Sequence, residues 1–239
     1  MTTPAPGDHA PLLAVTRLTK TYRGAPALDD LTLSLDAGHI VGLLGPNGSG
    51  KTTLLKILAG VLADWTGDVS IAGHRPGHAT KGFVSYLPSV DFLDPALTCQ
   101  AAIDLYDRFF ADFDAAKARR MVDFFRLPAD KTLKEMSKGM GEKLQIALVM
   151  SRRSRVYLLD EPISGVDPAA RDYILQGILS EFDPDALLLM STHLIADIEP
   201  IIDHALFLAD GRLLMSGDAD DLRAEHGMSL DALFRKEYR

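Results

Sequence analysis

Apolar residues recur along this chain with two different periods. Leu31, Leu33 and Leu35 alternate with polar neighbours, which is how a strand with one buried face reads, and an antiparallel β piece near the N-terminus is predicted. Beyond Ala37-Gly38 the alternation stops. Ile40-Val41-Gly42-Leu43-Leu44, Val156-Tyr157-Leu158-Leu159 and Ala186-Leu187-Leu188-Leu189-Met190 are near-continuous apolar runs. Strands covered on both faces have this pattern, so these runs predict a mostly parallel core sheet flanked by helices, an α/β fold. Between the first and second runs, in about 95–151, the period changes again. Ile103, Tyr106, Phe109 and Phe110, then Met121, Val122, Phe124 and Phe125, then Leu144, Ala147, Leu148 and Ser151 follow helical spacing. An inserted α-helical subdomain is predicted there, with its aromatics in a core. Asp210-Gly211 between two further apolar runs predicts a two-residue hairpin turn, because both positions tolerate positive φ.

Composition narrows the class. A chain of 239 residues suits one large domain or one domain with an insert, and 47% hydrophobic with 24% charged residues is ordinary for a soluble protein. The apolar runs are far shorter than the roughly 20 residues that cross a bilayer. Residues 1–11 hold three prolines and no Lys or Arg, so a loose tail and a cytosolic location are expected. The single cysteine, Cys99, is expected to pack in the core. A formal net charge of -8 argues against nucleic acid as a partner. The basic cluster Arg152, Arg153 and Arg155 follows an apolar helix pattern and is expected to complement that helix's negative end. His74 and His78 flank Pro76-Gly77 without a carboxylate or thiolate cluster, so no metal site is expected there.

Three motifs carry chemistry. Gly45-Pro46-Asn47-Gly48-Ser49-Gly50-Lys51-Thr52 fits the P-loop pattern in every fixed position and stands between a buried strand and a helix. Its glycines let backbone N–H groups turn toward phosphate oxygens, the following helix adds its positive end, Lys51 reaches the outer phosphates, and Thr52 can hold Mg²⁺. The apolar run 156–159 ends in Asp160-Glu161. Adjacent carboxylates at a buried strand end need partners. Beside a P-loop, Asp160 would hold the Mg²⁺ shell and Glu161 would act as general base toward water. His193 ends the third run and becomes a candidate sensor of the γ-phosphate in that company.

Read in order, these motifs resemble the ATP-binding cassette (ABC) ATPase family from about Leu12 to the C-terminus. The resemblance implies a P-loop NTPase fold with an N-terminal antiparallel β subdomain. It implies an ATPase domain over 12–217 with the helical insert at 95–151, and a C-terminal helical extension at 218–239. It implies that Tyr22 stacks on adenine and that Gly45 to Thr52, with Thr53, bind ATP. Met136-Ser137-Lys138-Gly139-Met140 stands at the family signature, usually Leu-Ser-Gly-Gly-Gln, so Ser137, Lys138, Gly139 and Met140 would meet ATP held by a second subunit. Asp167 in Ser164-Gly165-Val166-Asp167 matches the D-loop, and His193 the switch histidine. Ser89 stands where the family places a glutamine that links Mg²⁺ and the attacking water to a membrane partner, and its short side chain predicts slow hydrolysis by the isolated subunit.

The implied function is ATP-driven dimerisation and Mg²⁺-dependent hydrolysis coupled to transport, with export suggested by the signature and by the C-terminal Ser229 to Phe234. The implied partners are an integral membrane permease, which would hold the chain on the cytoplasmic face of the membrane, and a second ATPase subunit, identical or not. Two other readings remain: a soluble ABC ATPase, and a regulatory nucleotide-binding module with little hydrolysis.

Overall fold

A computed structural model describes residues 10–238, so the expected tail at 1–11 lies, apart from Ala10 and Pro11, outside the described residues. Strands β1 (Leu13–Tyr22) and β2 (Ala25–Leu35) pair antiparallel. Leu31, Leu33 and Leu35 are buried while their neighbours are exposed, as the alternation predicts. Strand β3 (Ile40–Leu44) leads through residues 45–50 into helix α1 (Lys51–Leu58), and β4 (Thr66–Ile71) returns to the free side of β1. This gives a three-stranded antiparallel sheet of order β2-β1-β4.

After β5 (Val84–Leu87) comes the helical insert, α2 (Cys99–Phe109), α3 (Ala115–Phe124) and α4 (Lys138–Met150). The chain then passes through β6 (Val156–Asp160), α5 (Pro168–Ser180), β7 (Leu187–Thr192), the short α6 (Ile195–Ile198) and the hairpin β8 (His204–Ala209) and β9 (Arg212–Asp218). It ends with α7 (Ala219–His226) and α8 (Leu230–Glu237). The second sheet runs β5-β6-β7-β3-β8-β9 and is parallel throughout except for β9.

The continuous apolar runs have a simple physical cause. Each strand of the parallel sheet divides its side chains between two separate cores. Leu44, Tyr157, Leu159, Leu188 and Met190 join the core shared with the helical insert and the C-terminal helices. Val41, Leu43, Val156, Leu158, Leu187 and Leu189 join the one closed by α1 and the antiparallel sheet. In α1, Leu54, Leu55, Ile57 and Leu58 are fully buried, and each would cost about 2–5 kcal/mol to truncate to alanine. That burial anchors the helix whose first residue is Lys51.

The hairpin turn forms as the Asp210-Gly211 pair predicts, with φ of 47° and 78°. Its tip also steadies the loop before α1, since Gly211 N–H donates to Ser49 O at 3.0 Å. Leu222, Leu230 and Leu233 of the last two helices are buried in the first core, and the Glu199 carboxylate accepts from Leu230 N–H at 2.8 Å. Cys99 is buried in the same core.

Two sequence expectations are corrected. Of the aromatics of the helical insert expected in a core, Phe109 and Phe124 are 70% and 38% exposed, because each stands on the outer side of its helix end, whereas Phe125 is buried. Arg152 does not serve the end of α4 from the surface. It is 5% exposed, donates to the carbonyls of Val84 and Lys81 at 2.9 and 2.7 Å, and pairs with Asp112 at 3.0 Å. A guanidinium with five donors can satisfy several acceptors at once, and here it staples the edge strand β5 to the helical insert. Its neighbour Arg153 remains exposed and pairs with Asp114.

Candidate nucleotide-hydrolysis site

The loop 45–50 is pressed between β2 and β8. A Cβ on Gly45 would come 2.4 Å from Leu208 O, and one on Gly50, at φ 106°, would come 2.4 Å from Ala27 O. Only glycine lets the backbone pass there. The loop and the start of α1 border a cleft of about 300 Å³, lined by Asn47, Gly48, Gly50, Lys51, Thr52 and Thr53 together with Ala27, Ser89 and Glu161.

Lys51 is 5% exposed. Its Nζ donates to Gly45 O at 2.7 Å and Pro46 O at 3.0 Å, and lies 3.6 Å from Glu161 Oε1. Burial pushes its pKa down, while the Glu161 and Asp160 carboxylates pull it back up. The ammonium is therefore held inside the loop by carbonyls and carboxylates together.

Asp160 closes β6 and is 1% exposed. Its Oδ1 accepts from Thr52 Oγ1 at 3.0 Å and from Ser191 Oγ at 2.7 Å, whereas Oδ2 is buried without a partner. A buried carboxylate oxygen beside a threonine hydroxyl is a hard-oxygen donor set, and it fits Mg²⁺. Glu161 follows with φ 53°, a conformation that non-glycine residues seldom adopt and that concentrates at active sites. Two bonds hold it there, from Glu161 N–H to Ser191 O at 3.1 Å and to Ser191 Oγ at 3.0 Å. The turn directs its carboxylate at Lys51 on one side and at His193 Nδ1, 3.0 Å away, on the other.

Ser191 is thus the residue that sequence reading missed. It ends the apolar run of β7 and lies directly opposite Asp160 in the strand register. A polar residue closing an otherwise apolar strand was the available signal. Lys20 also escaped notice. It is 7% exposed, donates to the carbonyls of Ala63 and Asp64, and sits 5.2 Å from the ring centre of Tyr22.

The structure brings Lys51, Thr52, Asp160, Glu161 and His193 together; of the signature, only Lys138 comes near, lining an adjoining cavity that Asp160 and Glu161 also border. Ser137 caps α4 by accepting from Met140 N–H at 3.3 Å, and the Lys138 side chain is 71% exposed. None of Ser137, Lys138, Gly139 or Met140 lines the cleft. Tyr22, at the end of β1, is 45% exposed and does not line it either. Asp167 caps α5 through Ala170 N–H at 3.1 Å.

Comparison with known families agrees with this geometry: residues 28–164 match the family described as ABC transporter. The chain belongs to that family. Among curated proteins, the Nod factor export ATP-binding protein I of Ralstonia nicotianae is 33% identical over 228 residues, spanning 92% of this chain and 71% of that protein. The daunorubicin resistance ATP-binding protein DrrA3 of Streptomyces coeruleorubidus is 31% identical, over 87% of this chain and 68% of its own length. A solved structure described as the ATP-binding subunit of an ABC transporter superposes with a TM-score of 0.82 at 29% identity, covering 95% of this chain and all of that one. A dimeric ATP-binding cassette in a post-hydrolysis state with ADP and phosphate superposes at 0.76 with 20% identity, which carries the fold alone. The ABC transporter family binds and hydrolyses ATP, and this chain is an ATP-binding, ATP-hydrolysing subunit of that kind.

Proposed function

We propose that this ATPase drives export through a separate integral membrane permease, working on the cytoplasmic face of the membrane as one of a pair of ATPase subunits. No described helix is long and apolar enough to cross a membrane. The relatives named for Nod factor export support the direction. Val90 and Phe92, 67% and 38% exposed on the segment after Ser89, offer apolar surface to such a partner near the helical insert.

The observation that carries the chemical reading is Glu161, turned by its positive φ so that one carboxylate oxygen faces Lys51 and the other His193. Lys51 and the backbone N–H groups of the loop hold the phosphates of ATP. Thr52 and the free oxygen of Asp160 would hold Mg²⁺, which supplies charge neutralisation on the outer phosphates. Glu161 accepts the proton of the attacking water as general base, and His193 fixes that carboxylate and senses the γ-phosphate. Because Ser137 to Met140 lie outside the cleft, their capped helix end is free to meet the γ-phosphate bound by a second subunit, and the pair would close on ATP and open after hydrolysis.

Glu161→Gln tests this. Turnover should fall by about 10² to 10⁴ while ATP binding persists, and light scattering should then show an ATP-dependent dimer. Parental turnover in the variant would remove Glu161 from the role of base.

A further inference from the structure

Beside the nucleotide cleft lies a second cavity of about 290 Å³ that shares Ser89 and Glu161 with it. Its far wall is one face of α4. Lys138, Glu142 and Gln145 are spaced by four and then three residues, so their side chains lie along one stripe of the helix, and all three line the cavity. This stripe touches two loops that are remote in sequence. Toward the loop after Glu161, Glu142 Oε1 and Lys138 Nζ, 3.6 Å apart, occupy the space beside Gly165. A Cβ added there would come 2.6 Å from the first and 3.0 Å from the second. Toward the loop that carries Ser89, the contact is made by Gln145. Its Nε2 donates to Asp91 Oδ1 at 2.7 Å, and its Oε1 accepts from Phe92 N–H at 3.4 Å.

Gln145 is 4% exposed, and both ends of its amide are spent on this loop. A buried amide left unpaired costs about 1–3 kcal/mol, so the pairing decides where residues 91 and 92 sit. The segment 88–92 follows the end of β5 and contains neither helix nor strand, which leaves its position to such tertiary bonds. Ser89 is exposed and short, and it borders both cavities.

We propose that Gln145 is a positioning residue for ATP hydrolysis, holding the Ser89 segment through Asp91 and Phe92 in register with the cavity that Ser89 and Glu161 share. Gln145 does not itself line the nucleotide cleft. It fixes the wall against which Glu161 works, and the opposite end of the same helix stripe fixes Gly165 behind that residue. The inference rests on Glu161 as the group that activates water.

The test uses the full chain with ATP and Mg²⁺. Gln145→Glu sets a carboxylate against Asp91 and should lower kcat between about 10 and 100-fold, the range that a displaced group in an active site produces, with KM for ATP within about twofold. Adding Asp91→Asn restores a donor opposite the new acceptor, and the double variant should recover most of kcat. In Gln145→Leu, amide hydrogen exchange at Phe92 should speed up as its acceptor is lost. If Gln145→Leu does not fold, Asp91→Leu removes the same side-chain bond from the exposed partner and carries the same kcat expectation. The proposal is overturned if Gln145→Glu melts earlier yet keeps parental kcat, if the double variant folds but stays slow, or if Phe92 exchange in Gln145→Leu matches the parent. Failure of the underlying chemical reading looks different, because Glu161→Gln would then hydrolyse ATP at the parental rate.

Discussion

The two sides of the catalytic cleft are built in opposite ways. On the side of Lys51, Thr52, Asp160 and Glu161, side chains are buried or nearly so and are tied to one another and to strand ends by bonds of 2.7–3.6 Å. On the side of α4, Ser137 and Lys138 are exposed, and their bonds stay within their own helix. The first side is assembled inside one chain, with the Lys51 ammonium set against the Glu161 and Asp160 carboxylates and one buried Asp160 oxygen left without a partner. The second is presented outward, and the stripe of Lys138, Glu142 and Gln145 turns back to touch the loops of the cleft. Preorganisation therefore resides in the sheet, whereas the helical insert carries the groups that face outward.

Breaking the buried side should have the largest effect. Lys51→Ala removes the ammonium that stands between Glu161 and the loop carbonyls, and leaves two adjacent carboxylates facing the place of the phosphates. Tight ATP binding should be abolished, as read by equilibrium titration with a fluorescent ATP analogue. Binding at parental affinity would mean that this loop does not hold the nucleotide.

A smaller loss is expected at Ser191, which is fully buried between Asp160 and Glu161. Ser191→Ala leaves Asp160 Oδ1 with Thr52 alone and Glu161 N–H with the Ser191 carbonyl alone. One buried hydrogen-bonding position is lost at a cost of about 1–3 kcal/mol in stability, and kcat should fall about tenfold as Glu161 loosens, since 1.4 kcal/mol of transition-state stabilisation is a factor of ten. Urea denaturation and steady-state kinetics measure the two. Unchanged turnover with the stability loss alone would make Ser191 a structural residue.

The legibility of the molecule divides along the same line. The parallel sheet could be read because strands serving two cores leave no polar positions in 156–159 or 186–190. The hairpin could be read because Asp210 and Gly211 accept positive φ. The grouping of Lys51, Thr52, Asp160 and Glu161 could be read because phosphate and carboxylate chemistry restricts residue type within a few positions of a strand end. What could not be read depends on which distant segments the fold brings together. Ser191 meets Asp160 across 31 positions, Gln145 meets Asp91 across 54, and Arg152 meets the Val84 carbonyl across 68. A glutamine in an amphipathic helix and an arginine after its end each have an unremarkable local reading. Only the position of β5 and its following loop against α4 gives them their partners.

The gentlest probe of the outward side is the charge on Glu142, the middle residue of the α4 stripe. Its side chain is 19% exposed, and its Oε2 is buried without a partner. Burial pushes its pKa above the ordinary glutamate value; Lys138 pulls it down and Asp91 adds to the rise, with a net upward shift. The fold thus favours the protonated carboxyl more than the unfolded chain does. The associated stability is fully present below the ordinary carboxylate pKa, about 4.3, and is lost as pH rises through the raised folded value. Above its raised folded pKa the parent carries a charge that its surroundings disfavour. Glu142→Gln removes that charge and keeps the shape, at the cost of the ion pair with Lys138, which is 71% exposed and worth little. The variant should melt above the parent at pH 7 to 8, by no more than about 2–4 °C, the shift that 1 kcal/mol makes in a chain of this size. The gap should close as pH falls toward about 4, where the parent carboxyl is itself protonated. Calorimetric melting of both proteins between those limits decides the matter. A gap that does not change with pH would mean that Glu142 titrates in the fold as it does in the unfolded chain, and that the inner stripe of α4 is as open to water as its exposed end.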